Sequence, residues 1–149
     1  GLFHDLPEVL TRDIISPVKR SVAGLDALIK SYEKERMEQE VYRFIPHEWH
    51  TEMKMFTEDE FTSIATIDGT VVATTSNMIS QKYDDDKYNP RDGELVKAVD
   101  DLAAFVEALI AIENGVKSKD LETAKSSIQK RYAHSVIAGI DFGQLYKGF

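Results

Sequence analysis

The chain has 149 residues, 42% hydrophobic and 30% charged, with 26 acidic against 18 basic side chains, a formal charge of −8 and no cysteine. That composition excludes a disordered tract, a disulfide framework and a thiolate site, and the acidic excess leaves no extended basic face for a nucleic-acid polymer. No apolar run reaches the roughly 18 residues that span a bilayer, so the expectation is one domain over residues 1–149, cytoplasmic and without a membrane partner.

The first elements carry the densest chemistry. His4 and Asp5 are adjacent, Glu8 follows within a helical turn, and Asp13 lies just beyond. An imidazole nitrogen beside a hard carboxylate oxygen suits a divalent cation that activates water, and Glu8 is spaced to serve behind it as acid or base. The same residues also read as a helix start, with Asp5-x-x-Glu8 as a capping box and Pro7 in the first turn. A short helix is predicted from Pro7 to Arg12. Arg12, Lys19 and Arg20 are either ordinary solvated basic residues or a local positive patch for phosphate.

Ser16-Pro17 signals the next helix start. From Val18 to about Phe44, Val22, Leu25, Leu28, Ile29, Tyr32, Met37, Val41 and Phe44 recur as an apolar face, with Gly24 as a breakpoint. Pro46 restarts a short helix through Trp49, Met53 and Phe56. His47 and His50 share one face of it and read as half-exposed helix members rather than metal ligands.

Residues 57–93 read as an inserted hairpin and loop. The β-branched runs Thr62–Ile67 and Thr70–Thr75 flank an Asp68-Gly69 turn. Gln81 to Gly93 is a polar loop, its Asp84-Asp85-Asp86 a solvated charge run. Glu94 to Glu113 is the strongest helix, with Leu95, Val99, Leu102, Val106 and Leu109 as the stripe, Val96, Phe105 and Ile110 beside it, and Asn114-Gly115 as its end. Asp100 and Asp101 flank that stripe on opposite sides, and periodicity leaves open which turns inward. Ser118 to Arg131 forms a further helix with Leu121, Ala124 and Ile128 on its inner face. The apolar tail from Ile137 to Tyr146 packs on the domain or on a second subunit, which makes a homo-oligomer a candidate state. No Gly-rich phosphate loop, nucleophile elbow or dinucleotide fingerprint is present.

Two blocks of sequence carry a family resemblance. Phe3-His4-Asp5-x-x-Glu8-Val9-Leu10-Thr11-x-Asp13 with Pro17-Val18-Lys19, and Leu95-Val96-Lys97-Ala98-Val99-Asp100-Asp101-Leu102, together resemble the HD-domain phosphohydrolases. Within them the 5′-deoxynucleotidase-like branch is nearest. The resemblance implies an all-α HD helical bundle carrying the small hairpin. It implies one divalent cation (manganese, cobalt, zinc, iron or magnesium) held by His4, Asp5 and Asp100, with Asp101 as an exposed or hydrogen-bonding neighbour. Glu8 would be the catalytic acid or base, Asp13 would accept a hydrogen bond from a sugar hydroxyl, and Lys19 would meet the substrate's phosphate.

The implied reaction releases phosphate from a nucleoside or deoxynucleoside 5′-monophosphate. An alternative is a non-catalytic HD module that binds metal, nucleotide or a protein partner; another is hydrolysis of a guanosine alarmone or cyclic nucleotide. The family's site also uses a His on a helix upstream of the His-Asp pair. Only three residues precede His4, so the chain is expected to lack that helix, leaving an apolar face uncovered and metal affinity weak. Should the chain bind metal unaided, His47 and His50 are the first candidates for the fourth ligand.

Overall fold

A proline one residue inside a short apolar run sets the first element. Helix α1 (Leu6–Thr11) begins just after Asp5 and buries Pro7, whose fixed φ suits a first helical turn. The computed structural model describes residues 3, 5–11 and 22–149. They fall into two compact units, Gly1–Glu60 and Phe61–Phe149. The predicted start at Ser16-Pro17 lies outside the described residues.

In the first unit Gly24 adopts φ 81° and α2 runs Leu25–Glu40, so the predicted breakpoint is where the helix starts. A 3-10 turn at Tyr42–Phe44 follows, then a second at His47–Trp49 leading into α3 (His50–Thr57). Helix α1 packs on α2, where the Thr11 hydroxyl donates to Glu33 Oε1 at 3.3 Å. The apolar face expected on α2 is narrower than its spacing suggested. Ile29 and Met37 are buried, but Val22, Leu28, Tyr32 and Phe44 are exposed. Glu33, Arg36 and Glu40 share the half-buried seam instead, and Arg36 pairs with Glu40 one turn on. Long charged side chains can cover apolar surface with their stems while their heads stay wet. Tyr42 is buried at the end of α2. The Thr57 hydroxyl donates to the Met53 carbonyl at 3.0 Å, which leaves the Tyr42 hydroxyl to donate to Thr57 at 2.9 Å.

The second unit opens with the predicted hairpin. Strands β1 (Ile64–Ile67) and β2 (Thr70–Ala73) are antiparallel, pairing Ile64 with Ala73 and Ile67 with Thr70. Asp68 (φ 50°) and Gly69 (φ 77°) make the turn, both left-handed as a two-residue hairpin of this twist requires. Helix α4 (Ser76–Met78) widens into a π turn at Ile79–Tyr83, and a 3-10 turn follows at Asp86–Tyr88. The stretch read as a polar loop is therefore partly helical, and its Arg91 exchanges backbone hydrogen bonds of 2.9 Å with Ile64. Asp85 of the acidic run caps its own turn by accepting from the Lys87 amide at 3.0 Å.

Asp92 is the joint of this unit. It caps α5 (Gly93–Glu113) by accepting from the Leu95 amide at 3.0 Å, and it also accepts from the hydroxyls of Ser63 (3.2 Å) and Ser76 (2.5 Å). The next residue must be glycine: a Cβ on Gly93 would lie 2.3 Å from the Phe61 carbonyl carbon. Helix α5 then packs on α6 (Lys119–Tyr132), capped by Ser118. The core holds Ala98, Phe105, Tyr132, Phe142 and Tyr146, flanked by Leu95, Leu102, Val106, Leu109, Ile128 and Ile137.

Of the predicted stripe of α5, Leu95, Leu102, Val106 and Leu109 pack against the core, and the departures are at its edges. Ala98, Asp101, Phe105 and Ala108 face inward, while Val99 and Ile110 are each 51% exposed. Ala98 and Ala108 are buried there, a signal that a count of large apolar residues misses. On α6, Ala124 is exposed although Leu121 and Ile128 are half-buried as expected. The apolar tail folds back within this unit as a second hairpin, β3 (Val136–Ile137) and β4 (Ile140–Asp141), and then α7 (Phe142–Lys147). Gly143 lets α7 dock, since a Cβ there would meet the Ala133 carbonyl oxygen at 2.3 Å. Among the described residues no helix is long and apolar enough to cross a membrane.

Candidate metal and phosphate site

Asp5 sits in the turn that opens α1. Its carbonyl accepts from the amides of Glu8 (3.0 Å) and Val9 (3.3 Å), so it occupies the capping position that its spacing from Glu8 suggested. The Asp5 carboxylate side is exposed and Glu8 is half-buried in the first turn. His4, Asp13 and Lys19, with Arg12 and Arg20, lie outside the described residues.

Asp100 and Asp101 belong to α5 of the second unit. The resemblance placed Asp100 inward; the structure turns Asp101 inward, at 7% exposure, and leaves Asp100 half-exposed. Lys97 spans the two, its Nζ 2.9 Å from both Asp100 Oδ2 and Asp101 Oδ1. The other oxygen of Asp101 accepts from Arg131 Nη1 and from the Tyr132 hydroxyl, each at 2.8 Å. Burial raises the Asp101 pKa, but the hydrogen bonds from Lys97 and Tyr132 and the charges of Lys97 and Arg131 outweigh it, so it lies below the ordinary carboxylate value. Burial also lowers that of Lys97, and the bonds to Asp101 and Asp100 overcome it to leave Lys97 above its ordinary value. Tyr132 is pushed up by burial and by its bond to Asp101. Tyr146, buried nearby, is pushed up to about 12, chiefly by burial.

Sequence reasoning missed this Asp101 cluster because its partners arrive from another helix. Only the spacing of Ala98, Phe105 and Ala108 marked the seam in which it lies. It also missed a cleft of the first unit lined by Phe3, Trp49, Glu52, Met53 and Phe56. The signal there was the i, i+4, i+7 spacing of Trp49, Met53 and Phe56.

His47 and His50 are brought together, rings stacked with centroids 4.9 Å apart and 24° between planes. His50 also lies 5.3 Å from the Tyr42 ring and has Nε2 3.3 Å from the Ile45 carbonyl. Packing accounts for the pair. Among the described residues no group of three or more His, Asp or Glu side chains converges as a metal cluster.

The order of these residues along the chain is matched by more than two short blocks. The family model for the HD domain covers residues 1–129. The chain belongs to the HD-domain family. No curated protein and no solved structure matches it. HD domains are in general metal-dependent phosphohydrolases of helical architecture, and the described elements of this one are mostly helical, with the hairpin as a small addition.

The chemistry of the donors fits such a metal. The residue types that the resemblance names, two carboxylates and an imidazole, would offer mixed oxygen and nitrogen donors to a divalent ion. The same set does not choose among manganese, cobalt, zinc, iron and magnesium.

Proposed function

We propose that this HD domain hydrolyses a nucleoside or deoxynucleoside 5′-monophosphate, releasing phosphate. The observation that carries the reading is the family match across residues 1–129, with the order His4-Asp5, Glu8 and then Lys97-x-x-Asp100 inside it. His4, Asp5 and Asp100 would hold one divalent cation. When bound, such a cation neutralises charge on a phosphate oxygen and lowers the pKa of a water.

The chain's own residues do the rest. Glu8, one turn from Asp5 and half-buried, takes a proton from the attacking water or gives one to the leaving oxygen. Asp13 accepts a hydrogen bond from a sugar hydroxyl. Lys19 offers its ammonium to the phosphate, positive charge that a protein of net −8 must supply locally. Lys97 bridges Asp100 and Asp101, so the buried Asp101, Arg131 and Tyr132 hold the Asp100 carboxylate in one orientation. In this reading residues 1–149 form one HD-type domain of a cytoplasmic protein.

The test is phosphate release from a panel of monophosphates with each of the five cations, set beside metal content. Cation-dependent release from nucleoside monophosphates is expected. Turnover only of cyclic nucleotides or guanosine alarmones would replace the substrate. Metal or nucleotide binding with no release from any phosphoester would leave a binding module.

A further inference from the structure

The cleft of Phe3, Trp49, Glu52, Met53 and Phe56 encloses about 200 Å³. Three of its five residues are aromatic and Glu52 is its one charged group. Trp49 ends a 3-10 turn that runs straight into α3, so Trp49, Met53 and Phe56 fall on one side of a continuous helical path. Phe3 closes the cleft from the chain segment that bears the HD motif. Trp49 is 58% and Phe3 45% exposed. Large rings held open to water around a concavity mark a surface that gains by being covered.

We propose that this cleft is the nucleobase subsite of the enzyme; the inference rests on the nucleotide reading above and names the part of the substrate it recognises. A flat heterocycle suits the space, because stacking on aromatic faces is the common way proteins hold an unpaired base. The connectivity suits it too. Phe3 directly precedes the His4-Asp5 pair in the sequence, so the cleft includes a residue of the segment that carries the motif. Glu52 orients the ligand, since its carboxylate repels the phosphate and accepts hydrogen bonds from the base.

That acceptor also sets a preference. Guanine presents two adjacent N–H donors that match both oxygens of a carboxylate. Adenine and cytosine offer an amino group. Uracil and thymine offer one N–H between two carbonyl oxygens, which a carboxylate repels. The order guanine, then adenine or cytosine, then uracil or thymine follows.

Trp49 is the single tryptophan of the chain, so its emission reports this cleft and nothing else. Guanosine, which lacks the phosphate, and guanosine monophosphate are titrated with a chelator present, excited at the red edge of the indole band. Saturable quenching by both is expected, with uridine binding about tenfold more weakly. Glu52→Gln should remove that difference, and Phe3→Ala, at an exposed side chain, should weaken guanosine with no change in far-ultraviolet dichroism. Emission unmoved by millimolar guanosine overturns the proposal, as does equal quenching by guanosine and uridine in both the wild type and Glu52→Gln. Phosphate release is measured separately. Release without any Trp49 response removes the base subsite and leaves the phosphohydrolase; a guanosine response without release removes the phosphohydrolase and leaves the subsite.

Discussion

The two units treat their polar and aromatic groups in opposite ways. In the second, Asp101 is buried against Lys97, Arg131 and Tyr132, and the rings of Phe105, Tyr132, Phe142 and Tyr146 close over one another, Phe105 meeting Tyr146 edge-on at 4.8 Å. In the first, Trp49, Phe44 and Phe3 stand open, and α2 is tied to α3 and to its end by the pairs Lys54–Glu38 (2.6 Å) and Lys34–Glu58 (3.0 Å). Exposed pairs of that kind contribute little. The second unit gathers its polar and aromatic groups into one core, and the first leaves more of them at the surface of a lightly buried frame.

The sharpest challenge to that division is Glu8→Ala. With the cation supplied, kcat should fall roughly 10²–10⁴-fold while bound metal and melting midpoint stay nearly unchanged. An equal loss of metal would make Glu8 a ligand; a large loss of stability would make the first unit's motif part of its frame.

Phe105→Ala is the counterpart in the second unit. It should cost about 3–5 kcal/mol, read as the shift of a denaturant midpoint. A loss below about 1 kcal/mol would mean that the aromatic cluster relaxes freely, against the close packing expected of a core.

Asp101→Asn comes next, at roughly 2–3 kcal/mol near neutral pH, because charge-assisted bonds from Lys97, Arg131 and Tyr132 weaken together. Its pH dependence has a fixed sign. The folded-state pKa of Asp101 is lowered, so its stabilisation is present above the unfolded carboxylate value of about 4 and is lost as pH falls through the folded value. The variant should therefore show a flatter acid limb than the wild type. An unchanged limb would assign acid unfolding to other carboxylates.

Gly69→Ala should cost about 1 kcal/mol, from the left-handed φ of 77° at the hairpin turn. Smallest of all, Lys54→Ala should leave the melting midpoint unmoved within error. A clear drop there would show that the first unit depends on its surface pairs after all.

Local signals carried much of this fold. Pro7 after Asp5, the left-handed Gly24, Asp68-Gly69 between β-branched runs and Asn114-Gly115 after a long apolar helix each act within a few residues, and each was legible in order. So was family membership, because metal-capable groups at fixed spacing are a local pattern. What stayed hidden was every feature made by a distant partner: Arg91 pairing with Ile64, Asp92 gathering Ser63 and Ser76, the exposure of Val99 on α5.

Asp100 and Asp101 state the boundary most clearly. The sequence alone put two acids beside an apolar stripe and, through its motif, named the family and the chemistry. It could not say which acid is buried, since helical spacing places them on opposite flanks of one stripe. The tertiary structure decided for Asp101, because α6 packs on α5 and brings Arg131 and Tyr132 within bonding distance of it. A buried carboxylate survives only where such partners converge, and convergence is a property of packing rather than of spacing along the chain.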